Sequence, residues 1–366
     1  MRSLEREKGR ESINQSLSRI AYAYGFSAPP IHIPKKSLSI STTSNQKVAA
    51  SLALIRSKTA SLAKQRWGSA RMGSKGTLIS FAIFATRHAV ANALVVKTII
   101  SIAELIGLEN ITALVSSTGD LESRKRFTRE LANFFKKNSE AVLPEVKERA
   151  VHDPDRAYYL MLELNDPLLE KVPRPIDFLS ENSRKTMLET LSLFESVGIP
   201  YSIEARLQGT PNITTELLFA VEGTNKKGER VRVAEGGRFD GAIEKSPTGE
   251  VAVSMSMLVD RDIDAESTAE EPACYIVHVG DIAKLKAFGA LETLLRSKFL
   301  VGQALMGATL REQLLNAQAA NTRYVAIIGQ REALDGTVIV RNLANQLQST
   351  IPLEKLPGYL SRTRTH

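Results

Sequence analysis

Between Ser12 and Ala103 the chain contains no aspartate or glutamate, although twelve lysines and arginines lie there. A stretch of that length and single sign either stays unfolded or buries enough apolar surface to hold itself together. Its apolar positions decide the matter. Ile13, Leu17, Ile20, Ala21 and Tyr24 fall on one helical stripe that Gly25 ends. Residues 47–63 have a helical pattern, 78–85 read as a buried strand, and 89–106 as a long helix closed by Gly107. The block is therefore expected to fold. An acid-free positive surface on a folded unit suits a phosphate-bearing partner, a solvated face being the plainer alternative. The first 103 residues sum to +13 and the remainder to −5, so the overall +8 is concentrated at one end.

The other bulk properties are ordinary. A chain of 366 residues, 43% hydrophobic and 24% charged, has material for two or three packed units. Its one cysteine, Cys274, excludes an internal disulfide framework and fits a reducing compartment. The opening MRSLEREKGRESINQ has no apolar core of a secretory signal, and the run 89–105 is interrupted by Asn92, Lys97, Ser101 and Glu104. A cytoplasmic protein with no membrane association is expected.

Further along, residues 26–33 suit an edge or interface strand, 67–75 a turn, and 111–116 a strand. Residues 120–175 change texture: a charged helix over 121–137 precedes a proline-punctuated stretch, as in an insertion. Ser183 is placed to cap a helix over 184–197, with Met187, Leu188, Leu191 and Phe194 on one face. Strands are expected at 201–205, 217–222, 230–234 and 251–258. At Gly236-Gly-Arg-Phe-Asp240 the chain is expected to turn sharply, the glycines admitting a close backbone approach and Arg238 and Asp240 standing at the bend. A solvent-facing hairpin turn is the alternative. Residues 260–271 read as a linker. Beyond it, strands at 275–279, 324–328 and 337–341 alternate with helices at 282–297, 309–320 and 353–360, which implies a small α/β unit with a largely parallel sheet.

Motifs that would announce a reaction are missing from the sequence: there is no Walker loop, no GxGxxG after a strand, and no HExxH, CxxC or GxSxG. The five histidines are too scattered to suggest a metal site, and none is expected.

In order and spacing, however, the segments resemble class II histidyl-tRNA synthetases over nearly the whole length. The resemblance rests on Leu310-Arg-Glu-Gln-Leu-Leu-Asn-Ala317, Tyr324-Val-Ala-Ile-Ile-Gly329, Gly336-Thr-Val-Ile-Val-Arg-Asn342 and Ile351-Pro-Leu-Glu-Lys-Leu356. Upstream, Gly198-Ile-Pro-Tyr-Ser-Ile203, Gly236-Gly-Arg-Phe-Asp-Gly241, Ile176-Asp-Phe-Leu-Ser-Glu-Asn-Ser-Arg184 and Ile106-Gly-Leu-Glu-Asn-Ile-Thr112 fall where the family has counterparts. It implies an α+β class II aminoacyl-tRNA-synthetase-like antiparallel sheet core over 1–268, with a helical insertion at about 120–175. An α/β anticodon-binding-type domain would follow over 272–366.

The departures from the family carry the functional expectation. Its motif 2, FRxE, corresponds to Trp67-Gly-Ser-Ala-Arg-Met-Gly-Ser-Lys75, without a carboxylate; its LRPE glutamate becomes Ser41. The loop RGLDYYT is Gln208-Gly-Thr-Pro-Asn-Ile-Thr214, so the catalytic arginine is Gln208, and the motif 3 arginine is Val259. Adenylate chemistry depends on cations that clamp phosphates in the transition state, and loss of one such group typically costs about 10²–10³ in rate. The resemblance therefore implies a protein probed for RNA rather than for aminoacylation: tRNA or a tRNA-like RNA, held by candidate phosphate contacts Lys35, Lys36, Lys47, Arg56, Lys58, Lys64, Arg66, Arg71 and Lys75. Gly236, Gly237, Arg238 and Asp240 would be the remnant of the amino-acid-site strand. No cofactor is expected. The alternatives are a working histidine–tRNA ligase with a rewired site, using ATP with Mg, and a regulatory or accessory subunit of another enzyme. The family's dimerisation implies a homodimer, and a further protein partner is open.

Overall fold

The structure is a computed structural model that describes all residues except 1, 27–29, 35–37, 39–45, 56–64, 73–74, 211–212, 241–250, 264–269, 308 and 364–366, and omits the side chains of 2–12, 46 and 52. Its elements in chain order are α1 (Arg2–Ala23), β1 (Ile31–His32), α2 (Gln46–Ile55), β2 (Gln65–Arg71), β3 (Thr77–Phe84), α3 (Ala89–Leu105) and β4 (Glu109–Gly119). Next come α4 (Leu121–Lys137), α5 (Pro144–His152), α6 (Pro154–Leu164), α7 (Glu181–Ser196), β5 (Tyr201–Ile203), β6 (Thr215–Thr224), β7 (Arg230–Arg238) and β8 (Ala252–Val259). The remainder is β9 (Cys274–His278), α8 (Asp281–Arg296), β10 (Val301–Gln303), α9 (Leu310–Ala319), β11 (Tyr324–Ile328), α10 (Gln330–Asp335), β12 (Thr337–Asn342), β13 (Gln348–Pro352) and α11 (Leu356–Thr363).

The first eight strands form one sheet in the order β1-β2-β3-β8-β7-β6-β4-β5. Its interior pairs are antiparallel, and the short outer strands β1 and β5 join in parallel. Strand β3 is buried at all eight positions, because both faces of the sheet are covered here. Ile79, Phe81 and Ile83 point into the cluster that contains α3, while Leu78, Ala82 and Phe84 point into the one that contains α2. Helix α3 is apolar nearly all round, which is the pattern of a helix inside a core. It buries Asn92, whose Nδ2 donates to Thr190 Oγ1, and Lys97.

Four expectations need correction. Residues 67–75 are not a turn: β2 runs through Trp67, which is buried and stacks on Phe81 at 5.7 Å, and the reversal is left to the neighbourhood of Gly76, at a φ of 97°. The run of glycines masked the alternation of buried Trp67 and Ala70 along an extended backbone. Second, the cap of α7 is Ser180, whose hydroxyl accepts from Ser183 N; Leu188 is 58% exposed and lies off the buried face. Third, no sharp turn occurs at Gly236-Gly237. Strand β7 continues through Arg238, and the glycines are required because a Cβ would lie 2.1 Å from Ser254 O at Gly236 and 2.4 Å from Leu217 O at Gly237. Fourth, the C-terminal sheet, ordered β10-β9-β11-β12-β13, is mixed: β10, β9 and β11 are parallel, while β12 and β13 are antiparallel additions.

Between β4 and α7, helices α4, α5 and α6 build a separate core from Phe127, Leu131, Phe135, Val146, Tyr158 and Met161. Asp120 and Asp153 cap α4 and α6 by accepting from Ser123 N and Arg156 N. The C-terminal sheet shares its buried cluster with the larger one: Leu17 of α1, Ile100 of α3 and Phe288 of α8 belong to a single apolar core.

Candidate functional site

The side of the large sheet opposite α3 is divided between a filled half and an open one. Helix α2 fills the first. Its alanine-rich sequence favours helix and presents small groups, so the helix can sit low on the strands. Ala49, Ala50, Ser51 and Leu54 are buried there against a surface that includes Ala70, Leu78, Ala82, Phe84 and Ala252. A chain of hydroxyls pins the contact: Ser51 Oγ lies 2.8 Å from Ser256 Oγ, which lies 2.6 Å from Ser80 Oγ. Arg66 is the charged side chain recorded against this seat, its guanidinium lying 4.8 Å from the centre of the Phe84 ring.

The open half lies over β6 and β7. A cavity of about 250 Å³ is lined there by Val48, Arg206, Gln208, Thr214, Phe219, Glu235 and Gly236, with Arg232 at its edge. Its charged groups are paired within the chain. Lys47 Nζ is 3.7 Å from Glu235 Oε1 and donates to Arg232 O at 3.3 Å; Arg206 Nη2 meets Glu170 Oε2 at 2.5 Å, and Arg232 Nη2 meets Glu222 Oε1 at 2.9 Å. The loop before β6 is folded on itself by Thr210 N, which donates to Thr214 Oγ1 at 2.7 Å. The arrangement can hold a small polar molecule by hydrogen bonds, but it aims no cluster of unpaired cations at one point.

Arg238 and Asp240 lie away from this cavity, in the core. Arg238 Nε and Nη2 donate to the Asp240 carboxylate at 3.2 Å each, Nη2 also donates to Thr86 O at 2.9 Å, and Asp240 Oδ1 accepts from Ala252 N. Only 2% of Arg238 is exposed, so a solvent-facing turn pair is ruled out. The pair ties β7 to the connection between β3 and α3 and to the start of β8. Nearby Glu216 has a φ of 51°; burial above all pushes its carboxyl up, Asp120 and Asp240 add to this, and the Ser183 hydroxyl and Arg238 oppose it.

The residues singled out from sequence are thus scattered. Gly236 lines the cavity and Gln208 stands exposed at its mouth. Val259 is fully buried on the α3 side of β8, facing away from the α2 seat. Lys47 has a carboxylate partner, Arg66 lies over the Phe84 ring at 4.8 Å, and Arg71 and Lys75 are exposed beside the β2–β3 reversal. Ser41, Lys35, Lys36, Arg56, Lys58 and Lys64 lie outside the described residues. The sequence marks neither Arg206 nor Glu235 by any motif, and Thr214 only as the end of the loop that begins at Gln208. Among the described residues, no group of histidine, cysteine and carboxylate side chains could hold a metal ion, and no helix is long and apolar enough to cross a membrane.

Comparison with known proteins adds three observations. Residues 273–363 match the model of the anticodon binding domain. The histidine–tRNA ligase of Geobacillus kaustophilus is 29% identical over 272 residues, covering 71% of this chain and 63% of the relative; that of Thermosynechococcus vestitus is 27% identical over 287 residues, covering 75% and 65%. The chain thus spans just under two thirds of the length of these relatives. Among solved structures, apo histidyl-tRNA synthetase from S. aureus superposes with a TM-score of 0.46 at 20% identity, covering 84% of this chain and 78% of that one. An ATP phosphoribosyltransferase regulatory subunit/histidyl-tRNA synthetase from Bacillus halodurans gives 0.36 at 15% identity, covering 73% and 74%. With a largely antiparallel sheet core, a C-terminal match to the anticodon binding domain and histidine–tRNA ligases as its sequence relatives, the chain is similar to histidyl-tRNA synthetases over about seven tenths of its length.

Proposed function

We propose that this protein does not form aminoacyl-adenylates and acts by binding tRNA or a tRNA-like RNA. The observation that carries the first half is the seat of α2. The resemblance assigns motif 2 to residues 67–75, which begin on β2, and motif 3 to residues 256–260, which begin on β8; the two strands flank β3. Aligned with FRxE, Trp67-Gly68-Ser69-Ala70 puts glycine and alanine at the two functional positions; alternation turns both toward the α2 side, opposite Trp67. A nucleotide on that face would compete with a helix already packed on the sheet, and would meet serine and aliphatic groups together with Arg66, which already lies over the Phe84 ring.

The second half is supported by the family and by charge. The synthetase-like core is read as residues 1–268 and the anticodon-binding-type unit as 272–366, with Lys35, Lys36, Lys47, Arg56, Lys58, Lys64, Arg66, Arg71 and Lys75 as phosphate contacts on the first. A homodimer belongs to the same reading, and sedimentation equilibrium checks it. The test of RNA binding is a titration of labelled bulk tRNA with purified protein at a series of salt concentrations. Affinity should fall steeply between about 50 and 200 mM salt, as counterion release requires. Absence of binding at low salt, or binding indifferent to salt, overturns the reading.

A further inference from the structure

The two sheets meet across helices α1, α3 and α8, and one buried carboxylate stands in the middle of that contact. Glu292, on α8 of the C-terminal unit, places Oε2 3.0 Å from Lys97 Nζ on α3. Its other oxygen, Oε1, accepts from Tyr24 Oη at 2.6 Å. With its proton committed there, the phenol oxygen is left to accept from Ser101 Oγ at 3.0 Å. The Lys97 and Glu292 side chains are only 5% and 9% exposed, and Tyr24 is fully buried. The segment carrying Tyr24 is itself held: Gln65 Nε2 donates to Tyr24 O, and Gly25 at a φ of 93° has no room for a side chain beside Gln65 and Gln303.

Apart from Ser101, Glu104, Gln65 and Gln303, the surroundings of this triad are largely apolar. Apolar packing is non-directional, so two helices that meet only through it can shift or rotate with little penalty. A carboxylate that takes one donor from α3 and another from the turn that follows α1 has one satisfactory position. Burying a charged pair adds little net stability compared with apolar groups of the same volume, so stability does not explain its presence. A triad contributed by two helices and the turn after a third supplies orientation.

We propose that Lys97, Glu292 and Tyr24 form a latch that sets the C-terminal unit in a single pose on the large sheet, so that the chain behaves as one body. This does not depend on the RNA reading. Nitroxide labels at Glu189→Cys on α7 and Arg331→Cys on α10, both exposed, report the relative pose through the distance distribution measured by pulsed electron resonance; Cys274 is buried and stays unlabelled. A single narrow distribution is expected for the otherwise unaltered chain. The Lys97→Met variant leaves a carboxylate buried without its cation and should melt roughly 5–10 °C lower. The double variant Lys97→Met with Glu292→Leu should recover most of that loss, yet broaden the distribution about twofold or more. A double variant whose distribution is as narrow as the parent's overturns the proposal. Should the double variant fail to fold, Glu292→Gln keeps the volume and an acceptor for Tyr24 while removing the charge pair. Broadening in that variant supports the latch, and an unchanged width refutes it.

Discussion

One side of the large sheet is closed over β2, β3 and β8 and open over β6 and β7, although the strands belong to one sheet with a buried face beneath. The closed half is lined by alanine, serine and leucine, and a helix of small residues lies on it. The open half keeps arginines, a lysine and glutamates, each satisfied by a neighbour in the chain. The difference shows how side-chain size decides whether a sheet face is covered. Small side chains on the strands leave room for a helix to sit close, and the hydrophobic gain then maintains the closed state. The charged rim needs no such change, because its ion pairs hold it without a ligand.

Substitutions on the two halves should differ widely in their effect. Ala50→Asp puts a carboxylate, with no cation to meet it, at a fully buried position in the α2 seat, and should cost at least about 3 kcal/mol in urea unfolding. A loss near zero would mean that α2 leaves the sheet easily and that the closed half is open in solution. Next in size is Arg238→Ala, which strands Asp240 in the core; a loss of about 3 kcal/mol is expected. A change within experimental error would remove the pair from the account of how β7 is tied to the core. Ser256→Ala deletes the hydroxyl shared by Ser51 and Ser80 and should cost roughly 1–2 kcal/mol. A stabilised variant would show that packing alone seats the helix. The smallest effect is assigned to the open half: Gln208→Arg restores the family's residue at an exposed position and should shift stability by no more than about 0.5 kcal/mol, without creating adenylation activity. Activity gained from that one change would place the defect in the loop and not in the α2 seat.

Much of the frame was legible in the sequence because it rests on periodicity. Strand β3, helices α3 and α4, and strand β11 lie where their apolar patterns put them. Helices α5 and α6 were read only as a proline-punctuated stretch of a helical insertion, and β10, α10 and β13 were missed, being short and without a full period. Strand β2 was misread because its glycine and serine neighbours imitate a turn, and only the partner Phe81 reveals why Trp67 is inside. The candidate site was less legible. The missing carboxylates between Ser12 and Ala103 could be counted, but the closing of one half by α2 is a tertiary event, as is the meeting of Arg206, Thr214 and Glu235 around a cavity. Lys97 did leave a trace, as a cation inside an otherwise apolar helix; its partner lies 195 residues further on and could not be named in advance.

In the proposed reading, the sheet face that carries Gly68 and Ala70, where the resemblance would put a nucleotide, is occupied by the protein's own helix α2. Histidine-dependent ATP–pyrophosphate exchange, run with Mg on the purified chain, tests it most directly. The account predicts exchange no faster than in a control lacking protein, at any histidine or ATP concentration. Exchange that rises with added histidine and saturates would show that α2 yields to the nucleotide and would contradict the account.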